Sequence, residues 1–435
     1  MADVYPFRGL RYSPERVSVE KVVTQPYDKI SREMQLRYYE LDPYNIIRII
    51  LGEGNDGDSP ADNVYTRASA QLKAWRESGV LVPLAAPSFV VYFQRFLIPG
   101  TQEERVRKGF IGLGRLEDYA NNVVYPHERT LSGPKQDRLQ LLRHTRTHFE
   151  QIFMLYEDPG RRIDDTLDAA AEDVPDIEVT DEYGVTHTLW IVDSPSMLKR
   201  IQEEMTGKKL IIADGHHRYE TALAYRDELR GQGTVQAEAP HEKLPMTFFN
   251  MYSPALTVLP THRVLAGLKD FDHKTFLARA SQFFEVERAP AEAAAFRPAL
   301  IRAGQHRVTI GVSTDGGRSR SLLALKPVDL SEVMADLSEK QRTLDVVVLH
   351  RLLIERCLGI TEEAVKHESH ITYVREFDAA LNAVAVGTAQ ISFLLNATKL
   401  DQLRDIAYEG NVMPQKSTDF YPKVLSGLLL YSLDD

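Results

Sequence analysis

The alternation of apolar and polar positions divides the first half of the chain into strand and helix segments. Residues 17–23 and 45–51 are short apolar runs that predict strands, whereas residues 32–39 and 61–78 have helical spacing. Two β-rich runs at 88–97 and 108–116 flank a Pro-Gly turn and predict a hairpin. The pattern continues with further elements: helix 134–148, strand 151–156, helix 164–172, a hairpin around 182–184, helix 197–205, and strands at 209–213, 246–251 and 256–259.

The pattern restarts near residue 270. A helix, a strand, an Ala-rich helix at 290–303, two strands and a helix at 344–357 are expected there. A chain of 435 residues exceeds what one hydrophobic core usually supports. We therefore predict an α/β (α+β) fold with two domains, residues 1–268 and 269–435.

Composition limits the partners that this chain can bind. Hydrophobic residues make up 43% and charged residues 26%, and the formal net charge is −10. A negative net charge argues against non-specific binding to nucleic acid or to an anionic membrane surface. The sequence contains neither a secretory signal pattern nor an apolar run near the ~18 residues of a membrane span. Cys357 is the single cysteine and is expected in the core, which fits a cytoplasmic protein. A homodimer is left open.

The most informative segment joins a predicted strand to a predicted helix. The apolar run ends at Asp214 and Gly215, and the helical pattern begins at His216. Backbone amides of a first helical turn, together with Arg218, suit a bound phosphate. Asp214 could bind Mg²⁺ or cap the helix, and His216 or His217 could be a base, a phosphate donor or a metal ligand. The alternative is a capped helix with two exposed histidines.

Two glycine patterns resemble nucleotide-binding motifs without meeting their requirements. Gly52, Gly54 and Gly57 match the dinucleotide fingerprint, but aspartates and Pro60 follow where a helix should begin. We therefore predict an acidic surface loop. Gly109 and Gly114 have Walker A spacing but lack the lysine and hydroxyl residue that bind phosphate.

Three further groups of polar residues are candidates for function. A turn beginning at His127 and Glu128 precedes a helix, and a segment at 413–423 carries lysines and hydroxyls between prolines. Asp28 is expected at the end of the first strand, where active-site groups of α/β folds tend to lie. A polar loop and a structural tail are the alternatives for the first two groups.

Five motifs together resemble a widespread prokaryotic family catalogued as a domain of unknown function, and they extend from residue 26 to residue 423. They are Pro26-Tyr27-Asp28; His127-Glu128 with Pro134-Lys135 and Asp137-Arg138; Asp214-Gly215-His216-His217-Arg218-Tyr219-Glu220-Thr221-Ala222; Pro260-Thr261-His262-Arg263; and Met413-Pro414 with Lys416-Ser417-Thr418, Phe420 and Pro422-Lys423. The Asp-Gly-His-His-Arg signature is similar to that of the ParB-like, sulfiredoxin-like superfamily, and most closely to its free serine kinases (SerK-like proteins).

The resemblance implies a ParB-like catalytic core with insertions, followed by a C-terminal α/β domain. It implies that Asp214 associates with Mg²⁺ and that His216, His217 and Arg218 surround the phosphates. The serine kinases use a glutamate as base, which no motif places here. Asp28 and Glu128 are candidates on chemistry alone. The remaining phosphate or nucleotide contacts expected are Gly215, Lys135, Arg138, His262, Arg263, Lys416, Ser417, Thr418 and Lys423.

The expected activity is an Mg²⁺-dependent transfer of phosphate between a nucleotide, ATP or ADP, and a small hydroxy compound. L-Serine and O-phosphoserine are the first-choice substrate and product. A nucleotide-binding regulator without catalysis and a phosphohydrolase are the alternatives. We also expect the segment 413–423 to return to the active site and to contribute Lys416 there.

Overall fold

The computed structural model describes residues 2–128, 132–233, 238–361, 364–365 and 370–435. The chain divides into two compact units. Unit 1 comprises Met1–Pro126, Thr130–Thr257 and Pro422–Asp435, and unit 2 comprises His127–Arg129 and Val258–Tyr421. The end of the chain is therefore part of unit 1.

Helices and strands alternate along both units. The helices in the described residues are α1 Val19–Val22, α2 Arg32–Leu41, α3 Ile47–Ile50, α4 Val64–Glu77, α5 Ser132–Thr145, α6 Arg162–Ala170, α7 Pro195–Met205, α8 His216–Gly231, α9 His273–Ala280, α10 Ala293–Gly304, α11 Asp345–Val348 with the π-helix Leu349–Cys357, α12 Phe377–Ala385 and α13 Leu400–Tyr408.

The strands of the same part of the chain are β1 Val4–Tyr5, β2 Leu10–Tyr12, β3 Leu81–Pro83, β4 Phe89–Leu97, β5 Glu104–Arg115, β6 Val124–Tyr125, β7 Thr147–His148, β8 Ile152–Tyr156, β9 Ile177–Thr180, β10 Thr186–Val192, β11 Leu210–Asp214, β12 Lys243–Asn250, β13 Thr257–Leu259, β14 His262–Leu265, β15 Phe284–Arg288, β16 Thr309–Thr314, β17 Ser319–Leu325, β18 Ile371–Val374, β19 Ile391–Leu394, β20 Asp419–Tyr421 and β21 Tyr431–Ser432. The mixed α/β fold class predicted from the sequence is confirmed.

Unit 1 is built on a large mixed sheet. Its strand order is β6-β11-β8-β12-β5-β4-β10-β9, and β1 pairs with β5. β11 pairs antiparallel with β8 and parallel with β6, so it is an interior strand of the sheet. Leu210, Ile211 and Ile212 are almost fully buried. A continuous apolar run is typical of such an interior strand, and this packing fixes the position of Asp214 at its end.

Unit 2 contains a six-stranded sheet in the order β15-β17-β16-β19-β14-β18. The pairs that its strands form are antiparallel. Phe296 and Leu300 of α10 pack with Phe377 and Leu381 of α12 in its core. Cys357 is buried, as predicted.

Two predicted strands and one predicted position are wrong. Residues 17–23 contain helix α1, and residues 45–51 contain helix α3, whose Ile47, Ile49 and Ile50 are buried. Short apolar runs give no period that separates a strand from a buried helical turn, so burial in the tertiary fold decided them. Asp28 lies in the 3-10 turn Tyr27–Lys29 rather than at a strand end.

The predicted hairpin and the predicted acidic loop are confirmed. β4 and β5 pair antiparallel from Val90–Ile111 to Leu97–Glu104. Residues 54–62 are exposed and irregular, and the next helix begins only at Val64. The glycines at 52–57 therefore do not open a helix as a dinucleotide fingerprint requires. None of the helices in the described ranges is long and apolar enough to cross a membrane.

The carboxyl group of Asp345 predicts that folding stability depends on pH through unit 2. Burial raises the pKa of its carboxyl group to about 7, although Asn396 and Lys399 act in the opposite direction. The folded state therefore holds this proton more tightly than the unfolded chain, so folding stability is lost as the pH rises towards 7. We expect Asp345→Asn to have a more favourable effect on the free energy of unfolding at pH 8 than at pH 5. The difference between the two effects should be on the order of 1 kcal/mol.

Urea unfolding at pH 5 and pH 8 measures this difference. Asp378→Asn, at an exposed position of unit 2, is the matched control and should show no pH-dependent gain. An equal change in both variants would contradict the assignment to Asp345.

Candidate functional site

Asp214 ends β11 at a turn that only glycine can complete. Gly215 has φ +95° and precedes α8. A Cβ atom on Gly215 would lie 3.0 Å from Nη2 of Arg218 and 3.1 Å from Cδ1 of Ile152. Glycine is therefore required both by the backbone conformation and by the approach of the Arg218 guanidinium. The first intrahelical bond runs from Tyr219 N to Gly215 O (2.9 Å), so the amides of residues 216–218 precede it.

The Asp214 carboxylate lies between two cations. Oδ1 accepts from Lys423 Nζ at 2.9 Å, and Oδ2 accepts from Arg218 Nη2 at 3.0 Å. Burial alone would raise the pKa of Asp214, but Lys423, Arg218 and Lys29 hold it well below its ordinary value. Asp214 is therefore a carboxylate at neutral pH, and both of its oxygens are already in use. We call Asp214, Arg218 and Lys423 the Asp214 triad.

Arg218 is fixed by a second contact. Its Nη1 donates to Gln151 O at 2.6 Å while Nη2 holds Asp214. Burial would lower the pKa of Arg218, whereas the charges of Glu150, Asp214 and Asp28 raise it above its ordinary value. The planar guanidinium thus spans the start of β8 and the end of β11.

The backbone around Lys423 is fixed by buried side chains. Gln94 Nε2 donates to Lys423 O at 2.7 Å. Arg107 donates to Pro422 O and, through Nε, to Gln94 Oε1 at 3.0 Å. The Arg107 guanidinium is fully buried, with Cζ 4.6 Å from the Phe153 ring centroid and 4.5 Å from that of Phe249. Burial lowers the pKa of Arg107 to about 9.

Glu150 joins the N-terminal turn to the C-terminal segment. Its Oε1 accepts from Tyr27 N at 3.2 Å and from Ser426 Oγ at 2.7 Å. Its negative charge also acts on Arg218. Asp28, one residue after Tyr27, is exposed and acts on Arg218 as well. Carboxylates from distant parts of the sequence thus surround one arginine.

The other predicted residues of unit 1 form their own pairs. Lys135 Nζ lies 2.7 Å from Glu220 Oε2 on α8, and Arg138 Nε lies 2.9 Å from Asp137 Oδ2. The Arg138 guanidinium is 4.2 Å from the Tyr27 ring centroid. His216 is buried and His217 is half-buried, so the expectation of two exposed histidines does not describe this turn.

Most of the predicted residues of unit 2 form a second cluster. His127 Nε2 lies 2.8 Å from Thr418 Oγ1, and Glu128 forms a parallel bridge with Met413. The residues that follow in that motif, Arg129 and Thr130, lie outside the described residues. His127 and Glu128 thus contact Thr418 and Met413, the part of the predicted segment 413–423 that belongs to unit 2.

Arg263 holds the backbone of that segment at Lys416. Its Nη2 donates to Lys416 O at 2.9 Å, and Lys416 has φ +56°, which is uncommon for lysine. Thr398 Oγ1 donates to Ser417 O at 2.8 Å, and Ser417 Oγ donates to Pro414 O. These hydroxyls therefore take part in backbone contacts of unit 2. Their predicted role in phosphate binding stays a prediction.

His262 lies at the start of β14 and is neutral. Burial, with the charges of Arg263 and Arg297, lowers its pKa to about 3. Its Nδ1 accepts from Leu395 N at 3.2 Å, so the ring proton lies on Nε2.

Sequence reasoning missed Arg107, Glu150 and Lys29. An arginine within a strand is ordinarily read as a solvent-facing residue, and Arg107 gave no signal of its burial. Glu150 stands two residues before the apolar run of β8, and no motif marks it. Lys29 adjoins the Asp28 motif and was passed over.

The described residues do not form a ready-made metal cage. No group of three His, Cys, Asp or Glu side chains among them is arranged to hold a metal ion. Both oxygens of Asp214 accept from cations instead. A magnesium ion would therefore have to bring most of its ligands with a phosphate-bearing substrate, as Mg²⁺ commonly does.

Comparison with known families assigns this mixed α/β protein to one of them. The model of the family described as "Protein of unknown function (DUF1015)" matches residues 4–347. The chain belongs to this family, and the family resemblance inferred from its motifs is confirmed. No curated protein sequence matches the chain.

Solved structures include three similar proteins. A free serine kinase variant in complex with AMP has a TM-score of 0.36 and 13% identity, covering 68% of this chain and 84% of that chain. A conserved hypothetical protein from Pyrococcus furiosus has a TM-score of 0.35 and 13% identity, covering 72% and 93%. SbnI with a C-terminal truncation, from Staphylococcus aureus, has a TM-score of 0.34 and 10% identity, covering 73% and 86%. Similarities of this size carry no conclusion about activity or substrate.

The Asp214 triad predicts non-additive effects on stability. Removing Lys423 leaves the Asp214 carboxylate, which is 20% exposed, with one cation fewer, whereas removing both charges does not. We expect Lys423→Met to lower the free energy of unfolding by on the order of 3 kcal/mol. Asp214→Asn combined with Lys423→Met should recover part of that loss.

Urea unfolding of the two single variants and the double variant provides the measurement. Lys73→Met removes an exposed lysine that pairs with Glu77 at 3.8 Å and is the control, with little expected change. Strictly additive losses would show that the Lys423–Asp214 pair is not coupled.

Proposed function

We propose that the protein is a phosphotransferase that moves a phosphoryl group between a nucleotide, ATP or ADP, and the hydroxyl group of a small molecule. L-Serine is the first-choice acceptor, and O-phosphoserine is then the product. The observation that supports the proposal most is the Asp214 triad at the glycine turn that begins α8.

The turn offers several groups that suit a phosphate. The amides at the start of α8 precede the first intrahelical bond, and the positive end of the helix dipole adds to them. Arg218 and Lys423 are cations held at fixed positions by Gln151 and by the backbone contacts of residues 422–423. A site whose cations are fixed before the substrate arrives stabilises charge without reorganising.

In the absence of substrate, the Asp214 carboxylate would hold both cations in position and offset their mutual repulsion. It shares its charge between Lys423 and Arg218, each of which can also donate to phosphate oxygens. When a phosphate group binds, Lys423 can turn one of its donors to the phosphate and still contact Asp214, because an ammonium carries three. Asp214 then orients the cation rather than the substrate.

Asp28 is our choice of base within unit 1. It is exposed, it belongs to a 3-10 turn anchored by Glu150 through Tyr27 N, and its charge acts on Arg218. In the proposed step, the acceptor hydroxyl oxygen forms a bond to the terminal phosphorus of the nucleotide. The bond from that phosphorus to the bridging oxygen breaks, and the hydroxyl proton passes to Asp28.

Magnesium would enter with the nucleotide. Its ligands would be phosphate oxygens and the Asp214 carboxylate, which has lone pairs beyond those that accept from Lys423 and Arg218. When bound, it would offset charge on the phosphates. His216 and His217, at the same turn, are proposed as donors to phosphate oxygens.

Phosphorus NMR tests the activity directly. Purified protein is incubated with Mg²⁺ and either ATP or ADP, with and without L-serine. AMP is the control nucleotide, because it lacks the bond between two phosphate groups that the proposed transfer breaks. We expect an O-phosphoserine resonance only when serine is present. Release of inorganic phosphate without serine would indicate a phosphohydrolase, and nucleotide binding without turnover would indicate a regulator. Either result would contradict the proposal.

Asp214→Asn should lower turnover at least about 100-fold, because it removes the charge that positions Lys423 and Arg218. Asp227→Asn, on the exposed side of the same helix near Arg226, is the control and should retain activity. Circular dichroism and the thermal midpoint show whether both variants are folded. Full activity in a folded Asp214→Asn protein would mean that the carboxylate serves only the structure.

Arg218→Lys should weaken nucleotide binding at least about tenfold. A lysine cannot hold Gln151 O and Asp214 at once and still present a planar donor pair. Isothermal titration calorimetry with ATP and ADP measures the change. Arg230→Lys, which changes a residue of the same helix that pairs with Glu242, should bind like the unaltered protein. Equal affinities for all three proteins would remove Arg218 from the site.

A further inference from the structure

A cavity of about 390 Å³ lies within unit 2, at the edge of its sheet where β19 ends and β14 begins. It is bordered by α10, by Phe377 and by the segment after β19, and it is open to solvent on one side. Gly304 closes one wall, because a Cβ atom there would lie 2.1 Å from Nδ2 of Asn396. The cavity has the size of small-molecule sites, which are commonly 300–1,000 Å³.

The charged side chains in the described lining of this cavity are all positive. Arg297 and Lys399 line it, and its described lining contains no Asp or Glu. Among the described residues, neither cation forms an ion pair, although the charge of Lys399 acts on the carboxyl group of Asp345. Gln305 and Asn396 supply amides, and the neutral His262 carries its ring proton on Nε2. The charged and polar groups therefore favour an anion.

The rest of the wall is apolar. Leu300, Ile301, Phe377 and Leu395 contribute to it, and Ile301 is 50% exposed. An adjoining cavity of about 620 Å³ shares Gly304 and Lys399 but also contains Asp329, Glu339 and Asp345. Those carboxylates offset its cations, whereas the described lining of the smaller cavity contains Arg297 and Lys399 without a carboxylate.

We propose that this cavity of unit 2 binds a small organic anion, with a phosphate or carboxylate group held by Arg297 and Lys399 and an apolar body against Ile301 and Phe377. Its lining shares no residue with the Asp214 triad, and neither Arg297 nor Lys399 has a part in the proposed phosphoryl transfer. Its occupant would be a second ligand of the protein.

Model compounds test the proposal on the full chain. 1-Naphthyl phosphate and 1-naphthoate carry the two candidate anions on the same apolar ring, and 1-naphthalenemethanol is the neutral analogue. Inorganic phosphate lacks the ring. We expect both naphthyl anions to bind at least about tenfold more tightly than the alcohol or inorganic phosphate. The tighter of the two anions identifies the preferred group.

Variants locate the site. Arg297→Gln and Lys399→Gln should each weaken naphthyl anion binding at least about fivefold, as measured by calorimetry. Arg302→Gln, at an exposed position of α10 outside the cavity, should not. Ile301→Glu places a carboxylate at an exposed rim position that tolerates change, and it should also weaken binding. Thermal midpoints confirm that each variant is folded.

Three outcomes would overturn the proposal. They are absence of binding at millimolar concentrations of every naphthyl compound, equal binding of the neutral alcohol, and unchanged binding in folded Arg297→Gln and Ile301→Glu proteins. If binding is lost instead in Arg218→Lys, the anion occupies the proposed active site of unit 1. The two proposals can therefore fail independently.

Discussion

The ion pair between Asp214 and Lys423 is the interaction on which the architecture of unit 1 depends. The residues are 209 positions apart, and their Oδ1 and Nζ atoms lie 2.9 Å from each other. A buried carboxylate is costly unless cations and donors compensate for its lost hydration. Arg218, four residues later in the first turn of α8, supplies part of that compensation locally. The rest comes from the end of the chain, so the turn is complete only when that segment is in place.

The C-terminal segment is correspondingly well fixed. Arg107 and Gln94 hold the carbonyl groups of Pro422 and Lys423, and Ser426 exchanges backbone hydrogen bonds with Thr24 while its hydroxyl donates to Glu150. The interactions that position Lys423 therefore involve β4, β5 and the N-terminal turn. A substitution in any of them could alter the triad without contacting it, so they act as positioning residues.

Sequence patterns predicted the elements with a clear period and failed where burial decides. The amphipathic helix α4 and the β4–β5 hairpin follow directly from spacing and turn residues. The isoleucines of α3 are buried on all sides, so their run has no period to read. The motifs identified Asp214, Arg218 and Lys423, but not that these three meet. Pairing across 209 residues depends on tertiary contacts, and Arg107, which supports the pairing, resembles any arginine in a strand.

The charge arrangement has a consequence for selectivity. The protein has a net charge of −10, so an anionic substrate is repelled at long range and must be attracted by groups close to the turn. Those cations already interact with Asp214, Glu150 and Asp28. Binding a phosphate therefore exchanges one set of anionic partners for another, and the net gain is smaller than with uncompensated cations. A ligand that also accepts hydrogen bonds from the backbone amides at the start of α8 gains contacts in addition to those with the cations. If phosphate binds at this turn, as proposed, it should therefore bind more tightly than an anion that contacts the cations alone.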